Sequence, residues 1–104
     1  TDATIGVTAV EQIQHLAFDI SFLGTNGIDA AHGLTTPDLE EAAIKSVVIK
    51  QTRCPYVLAD ASKFGSVAFV QTAALQDVTI ITNQLADEYI ALRETTEIIE
   101  VDKG

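Results

Sequence analysis

An α/β fold with a mainly parallel sheet and flanking helices is what this sequence predicts, on three observations. Short apolar runs recur at Phe18–Leu23, Tyr56–Ala59, Val78–Thr82 and Ile98–Val101. Segments with apolar residues at helical spacing lie between several of them. The first three runs close on Gly24, Asp60 or Asn83, residues suited to a turn. Short apolar strands alternating with helices indicate a mainly parallel sheet covered by helices.

The elements follow in order. Val10, Ile13, Leu16 and Ala17 recur at helical spacing, predicting a helix over residues 7–16. Phe18–Leu23 reads as a strand with Phe18, Ile20 and Phe22 on one side. Residues 24–36 hold three glycines and many short polar residues, the composition of a loop. A helix then starts at Thr36-Pro37-Asp38 and runs to about Gln51. Thr36 suits the N-cap, Pro37 the first helical position, and Asp38 and Glu40 the positive end of the helix dipole. Tyr56–Ala59 is a strand opened by Pro55, and residues 61–71 are a loop with at most one helical turn. Val78–Thr82 is a β-branched strand, Gln84–Glu94 a helix with Leu85, Tyr89 and Leu92 on one face, and Ile98–Val101 a last strand.

Composition narrows the functional classes. The 104 residues are 47% hydrophobic and 20% charged, enough for one core and one domain over residues 1–104. No apolar run approaches the roughly 18 residues of a membrane span. Thr1 to Ala9 lack the basic start and apolar block of a secretory signal. There is no Met, so the chain is expected to be a piece of a longer protein. A single cysteine, Cys54, makes no internal disulfide and reads as a small core residue in a reducing cytoplasm. The net charge is −9, and the six basic residues are spread from Lys45 to Lys103 without a cluster. Nucleic-acid affinity comes mostly from basic side chains at phosphates, so this segment should not bind DNA by itself. A small anionic ligand needs only a local basic pair and helix N-termini.

In such folds ligands sit beyond the carboxyl ends of the strands. That rule selects three places: the loop from Gly24 to Thr36, the loop from Asp60 to Gly65, and the turn at Thr82-Asn83. Gly24-Thr25-Asn26-Gly27 lacks the third glycine of a dinucleotide fingerprint and the Lys of a P-loop. Its glycines serve a turn or a surface that a sugar approaches closely. Glu41 and Lys45, four apart, read by spacing as a surface ion pair. Asp60 reads as a turn residue, with Lys63 either solvated or at an anion. His15, in the helix and partly buried, and His32, on the exposed loop, have no partner at metal-ligand spacing. No cofactor is implied.

Two dense motifs carry a resemblance. Phe22-Leu23-Gly24-Thr25-Asn26-Gly27-Ile28-Asp29, followed by Gly33-Leu34-Thr35-Thr36-Pro37-Asp38, Glu41-Ala42 and Lys45, resembles the effector domain of the DeoR family. Val57-Leu58-Ala59-Asp60-Ala61-Ser62-Lys63-Phe64-Gly65 is similar to the same family's second signature. Ile80-Ile81-Thr82-Asn83 stands where the family usually ends in Thr-Asp. The resemblance implies a fold like that of ribose-5-phosphate isomerase and the CoA transferases. It implies a winged helix-turn-helix that reads DNA ahead of a domain that binds a phosphorylated sugar. The helix-turn-helix is absent from this chain, as is the early Gly- and Thr-rich loop expected to hold the ligand phosphate. Residues 1–104 therefore resemble a partial sensor domain, its later part. By position the ligand-side residues would be Asn26, Asp29, Thr35, Glu41, Lys45, Asp60 and Lys63. Asn26 and Asp29 would bond sugar hydroxyls, and Lys63 would sit near the phosphate. Lys45 would add a second positive charge, with Glu41 orienting it or accepting a hydroxyl. Gly-Leu-Thr-Thr-Pro-Asp leans toward the fructose-operon type, whose effector would be fructose 1-phosphate. The strand-end turns bearing Asn26, Asp29, Asp60 and Lys63 are expected to converge on one pocket, in a homo-oligomer.

The rival is an aldose–ketose isomerase of the related fold, which needs a general base beside the sugar's C1–C2 and a stabilised enediolate. The isomerases carry Gly-Ala-Asp-Glu in the comparable loop and an adjacent Glu-Lys pair. Here Asn26 and Gly27 interrupt the acidic pair, and Glu41 and Lys45 stand a helical turn apart. The residues therefore favour a sensor over an enzyme.

Overall fold

The computed structural model describes residues 9–101. Among them the chain runs β1 (Phe18–Gly24), β2 (Gly27–Asp29), β3 (Gly33–Thr36), α1 (Leu39–Lys50), β4 (Thr52–Leu58), β5 (Val70–Ala73), β6 (Thr79–Thr82) and β7 (Glu97–Glu100). Short 3-10 turns precede β5, β6 and β7. Residues 9–13 are helical and 14–15 turn toward β1. The first part of the predicted helix, residues 7–8, lies outside the described residues.

The fold class is the expected one. β1, β4, β6 and β7 form a four-stranded sheet in the order β1-β4-β6-β7, with every pair parallel. Leu23, Val57, Ile80 and Ile98 stand in register across it. Side chains alternate along a strand, so these four share one face. The connections bring Ile28, Leu34, Ile49, Phe64, Leu75 and Leu92 into a single cluster with Val57, Ile80 and Ile98. All three crossovers thus lie on the same face, as right-handed connections running one way along a sheet must. The opposite face carries Ile20, Phe22, Cys54, Leu58 and Ile99, all exposed. Phe22 stacks on Tyr56 there with ring centroids 5.4 Å apart.

Several sequence expectations are corrected. Residues 24–36 are not all loop: β2 and β3 pair antiparallel, and β5 joins them in a second sheet ordered β2-β3-β5. Strands of three and four residues are too short to reveal a period of two, and the glycine-rich composition hides them. Gly33, at φ 72°, supplies the left-handed residue that enters β3. Thr36 is not the N-cap; it is paired with Val70 in the second sheet and 1% exposed. Asp38 caps α1 instead, accepting from the N–H of Glu40 at 2.8 Å and of Glu41 at 3.3 Å. Asp38→Ala should therefore cost about 0.5–2 kcal/mol of stability, measured by urea unfolding. β4 begins at Thr52, whose hydroxyl donates to Val48 O at 2.6 Å and turns helix directly into strand.

The segment Asp87–Glu94 is 3-10 rather than α. Its N-cap, Ala86, offers no side-chain acceptor, and the N–H of Leu85 is held by Glu100 Oε2 at 3.0 Å instead of entering a helix. Cys54 is exposed, not core, because it points to the face opposite Val57. His15 is exposed in the turn after the first helical residues.

Candidate functional site

Parallel strands place their carboxyl ends together, so Gly24, Leu58 and Thr82 open on one edge of the sheet. Asp60 follows β4 and caps a 3-10 turn over Ala61–Lys63. Its carboxylate accepts from Ser62 N at 2.8 Å and from the Ser62 hydroxyl. Those bonds, with the nearby Lys63 charge, hold the Asp60 carboxyl below the usual range. Asn83, following β6, accepts from Ala61 N at 2.9 Å and ties the two strand ends together. Asp60, Lys63 and Asn83 rim an open depression of about 360 Å³ whose floor includes Leu58 and Ile81. Lys63 is half-buried; its backbone N–H donates to Asp60 O at 3.1 Å, while its ammonium makes no ion pair or hydrogen bond with any described residue. Asn83 was not among the predicted site residues. Its signal was its position, directly after the β-branched run Thr79-Ile80-Ile81-Thr82.

At the end of β1, Lys45 reaches back from α1. Its ammonium donates to Gly24 O at 2.9 Å and pairs with Glu41 Oε1 at 2.9 Å. The Lys45 side chain is only 17% exposed against 50% for Glu41, so Lys45 serves as a clamp on the strand end. Asn26, exposed, accepts the Thr36 hydroxyl on Oδ1 at 3.0 Å and leaves its amide N–H₂ toward solvent.

Two predicted residues lie elsewhere. Asp29 lines a separate depression of about 260 Å³ with Gly65 and Tyr89, not the one rimmed by Asp60 and Lys63. The single shared pocket expected from the sequence is corrected accordingly. β2 carries Asp29 away from Gly24, and its Oδ2 folds into the hairpin turn. There it accepts from Ala31 N and His32 N, each at 3.0 Å, and meets His32 Nδ1 at 2.8 Å. The bond to His32 is the main reason the Asp29 carboxyl titrates below its ordinary range. Thr35 is 2% exposed, and its hydroxyl accepts from Ala68 N at 2.9 Å. It joins two segments of the fold and is not at a surface.

The two signature loops are bonded to each other. Gly65 N donates to Ile28 O at 2.8 Å, Ile28 bridges Phe64, and Ala68 meets Thr35. The dense motifs are therefore one structural unit that braces the strand ends. Among the described residues no group of three His, Cys, Asp or Glu could hold a metal ion, and no helix is long and apolar enough to cross a membrane.

The chain is 49% identical over 82 residues to a Bacillus subtilis (strain 168) protein named as an uncharacterized HTH-type transcriptional regulator FruR, covering 79% of this chain and 33% of that one. It is 39% identical over 80 residues to the HTH-type transcriptional regulator GlpR of Haloferax volcanii, covering 77% and 31%. A glycerol-3-phosphate regulon repressor of Haemophilus influenzae is 35% identical over 74 residues, covering 71% and 29%. The chain thus spans about a third of the length of the curated relatives it matches. These relatives are named as transcriptional regulators or repressors, which sets the isomerase reading aside. The family described as the DeoR C-terminal sensor domain matches residues 1–84. With its parallel sheet and paired signature loops, the chain belongs to the DeoR C-terminal sensor domain family.

Proposed function

We propose that this domain binds a phosphorylated sugar at the carboxyl ends of β1, β4 and β6, and that the bound effector controls a winged helix-turn-helix elsewhere in a cytoplasmic, homo-oligomeric regulator. The observation that carries this reading is Lys63. It is a half-buried cation at the rim of the depression after β4, near the Asp60 charge and beside Asn83, and its ammonium makes no direct ion pair or hydrogen bond with a described residue. A phosphate would give it a direct ionic partner, and Asn83, Asp60 and the Asn26 amide offer partners for hydroxyls. A relative is named as a glycerol-3-phosphate regulon repressor, and glycerol 3-phosphate, like a sugar phosphate, is a small phosphorylated polyol. The Gly33-Leu34-Thr35-Thr36-Pro37-Asp38 stretch leans the choice of sugar toward fructose 1-phosphate. Lys45 acts here through Gly24, and Asp29 and Thr35 act through the hairpin, as residues that position the loops.

DNA enters through the helix-turn-helix and not through this domain, whose net charge is −9. The effector favours one arrangement of the oligomer and so alters the spacing of the DNA-reading heads.

Thermal unfolding with a panel of sugar phosphates tests the reading. A binder gains RT ln(1 + [L]/Kd) of stability and turns none of them over in a parallel isomerase assay. Lys63→Ala should weaken the effector about 10- to 100-fold, the value of a charged hydrogen bond of about 1.5–3 kcal/mol, with the melting curve of the free protein unchanged. A wild-type protein, tested in the full-length regulator as well, that no sugar phosphate stabilises at millimolar concentration rejects the proposal. So does a Lys63→Ala variant with unaltered affinity.

A further inference from the structure

We infer that Tyr89 is a positioning residue for the effector site: its ring holds the loop after β4 so that Lys63 stands in place for a phosphate. The inference rests on the effector reading above and adds a residue that lies outside the depression beside Lys63. Tyr89 stacks on Phe64, with ring centroids 5.8 Å apart and planes 30° apart. Phe64 directly follows Lys63, is 5% exposed and bridges Ile28. Gly65, at φ 87°, then passes beneath the phenol. An added Cβ at Gly65 would overlap the Tyr89 hydroxyl and stand 3.1 Å from Tyr89 Cζ. That hydroxyl has no hydrogen-bond partner among the described residues, so the ring itself exerts the hold.

The ring is the fixed partner in this contact and the loop the held one. Leu85 and Leu92, on either side of Tyr89, are each 8% exposed in the core. Glu100 on β7 accepts from Leu85 N at 3.0 Å and pairs with Arg93 at 2.9 Å. Arg93 also donates to Ile98 O at 2.6 Å. The stretch from Leu85 to Arg93 is thus anchored to β7 at both ends, and it presents Tyr89 without help from the loop. Inside the loop the bonds are long: Phe64 N to Ala61 O is 3.4 Å, and Ser66 N to Lys63 O is 3.3 Å. Both exceed the usual range of about 2.7–3.2 Å. The same anchored side of the fold supplies two firmer contacts. Asn83 Oδ1 holds Ala61 N at 2.9 Å, and Tyr89 covers Phe64 and Gly65. Lys63 lies between these two points. Its ammonium makes no bond of its own, so the backbone they fix sets where the charge stands. A loop ordered before binding spares the ligand that ordering cost.

A double-mutant cycle in the full-length regulator tests the role. The probe is fructose 1-phosphate or, if that does not bind, the panel member that most raises the wild-type melting temperature. Tyr89→Leu weakens its binding about five- to ten-fold when Lys63 is present and no further in Lys63→Ala, because two residues acting through one contact do not add. Tyr89→Phe keeps the ring and binds as the wild type does. A Tyr89 that only fills the core would lower affinity by the same factor in both backgrounds, and that result overturns the inference. Hydrogen exchange in the wild type needs no variant and decides the matter even where Tyr89→Leu does not fold. The probe should slow exchange across residues 61–66 and 85–92 together, since the loop and its brace open as one unit. Protection of residues 61–66 alone overturns the inference as well. A wild type that binds no sugar phosphate rejects the effector reading beneath it. Additive losses in a wild type that does bind reject the role of Tyr89 and leave the effector reading standing.

Discussion

Ile80→Ala should destabilise the domain by about 2–5 kcal/mol, while Ile81→Ala, one residue on, should cost a small fraction of that. Ile80 is 0% exposed. It stands between Val57 on β4 and Ile98 on β7, beneath side chains from all three connections. Removing its branched side chain deletes buried methyl groups and leaves a cavity that three packed elements cannot jointly collapse. Ile81 points the other way and keeps part of its surface in water, so truncation there loses less burial and leaves no enclosed void. Against a total stability of about 5–15 kcal/mol, the first change alone brings the domain near unfolding. Urea midpoints measured at constant slope decide the matter. Equal losses at the two positions would mean that the sheet is covered on both sides within these residues.

The Ile80–Ile81 pair also indicates how much of this fold was legible beforehand. The four parallel strands announced themselves because Phe18–Leu23 and Val78–Thr82 are rich in β-branched or aromatic residues and end abruptly in turn residues. Such runs do not state which face is covered. Cys54 was read as core because it stands at the start of an apolar run, yet burial is decided by the layer that packs on a strand. β2, β3 and β5 were invisible because each is three or four residues long and lies in Gly-, Thr- and Ala-rich sequence. Their pairing is long-range, and no local period encodes it.

The site divided in the same way. Asp60 and Lys63 lie in a loop that the strand-end rule selected and the family resemblance then singled out, and they do share a depression. Asp29 was assigned to the same place because residues 24–36 looked like one continuous loop. The hidden hairpin moves it to another depression. Thr36 lost the capping role for the same reason, since β3 extends through it and leaves Asp38 as the next acceptor. The strand-end rule also selected the Thr82-Asn83 turn, but Asn83 did not enter the ligand set, because a single polar residue after a strand resembles any turn. Its bond to Ala61 N, across to the neighbouring strand end, becomes apparent only in three dimensions.

Gly27→Ala should cost about 1–3 kcal/mol, as overpacking in a close-fitting interior does, while Gly24→Ala should be close to neutral. The sequence left two uses open for these glycines: turn geometry, or a surface on which a sugar rests. The structure offers a third for Gly27. Its backbone is buried in the hairpin against the loop that follows β4, and an added Cβ would overlap Ser66 O outright. That Cβ would also stand 2.7 Å from Thr35 Oγ1 and 2.8 Å from Ser66 C. The first two obstacles are a backbone carbonyl and a hydroxyl already committed to Ala68 N, so neither gives way cheaply. At Gly24 nothing lies within 4 Å of the same added atom. Gly27 is thus the place where the two signature loops close on each other, and the methyl group should prise them apart. Urea unfolding reads the stability loss, and the effector-induced shift in melting temperature should shrink with it, since Asn26 and Lys63 stand on the two separated loops. A Gly27→Ala variant of full stability that nonetheless loses the effector response would show that the glycine faces the ligand after all, and would restore the sugar-approach reading.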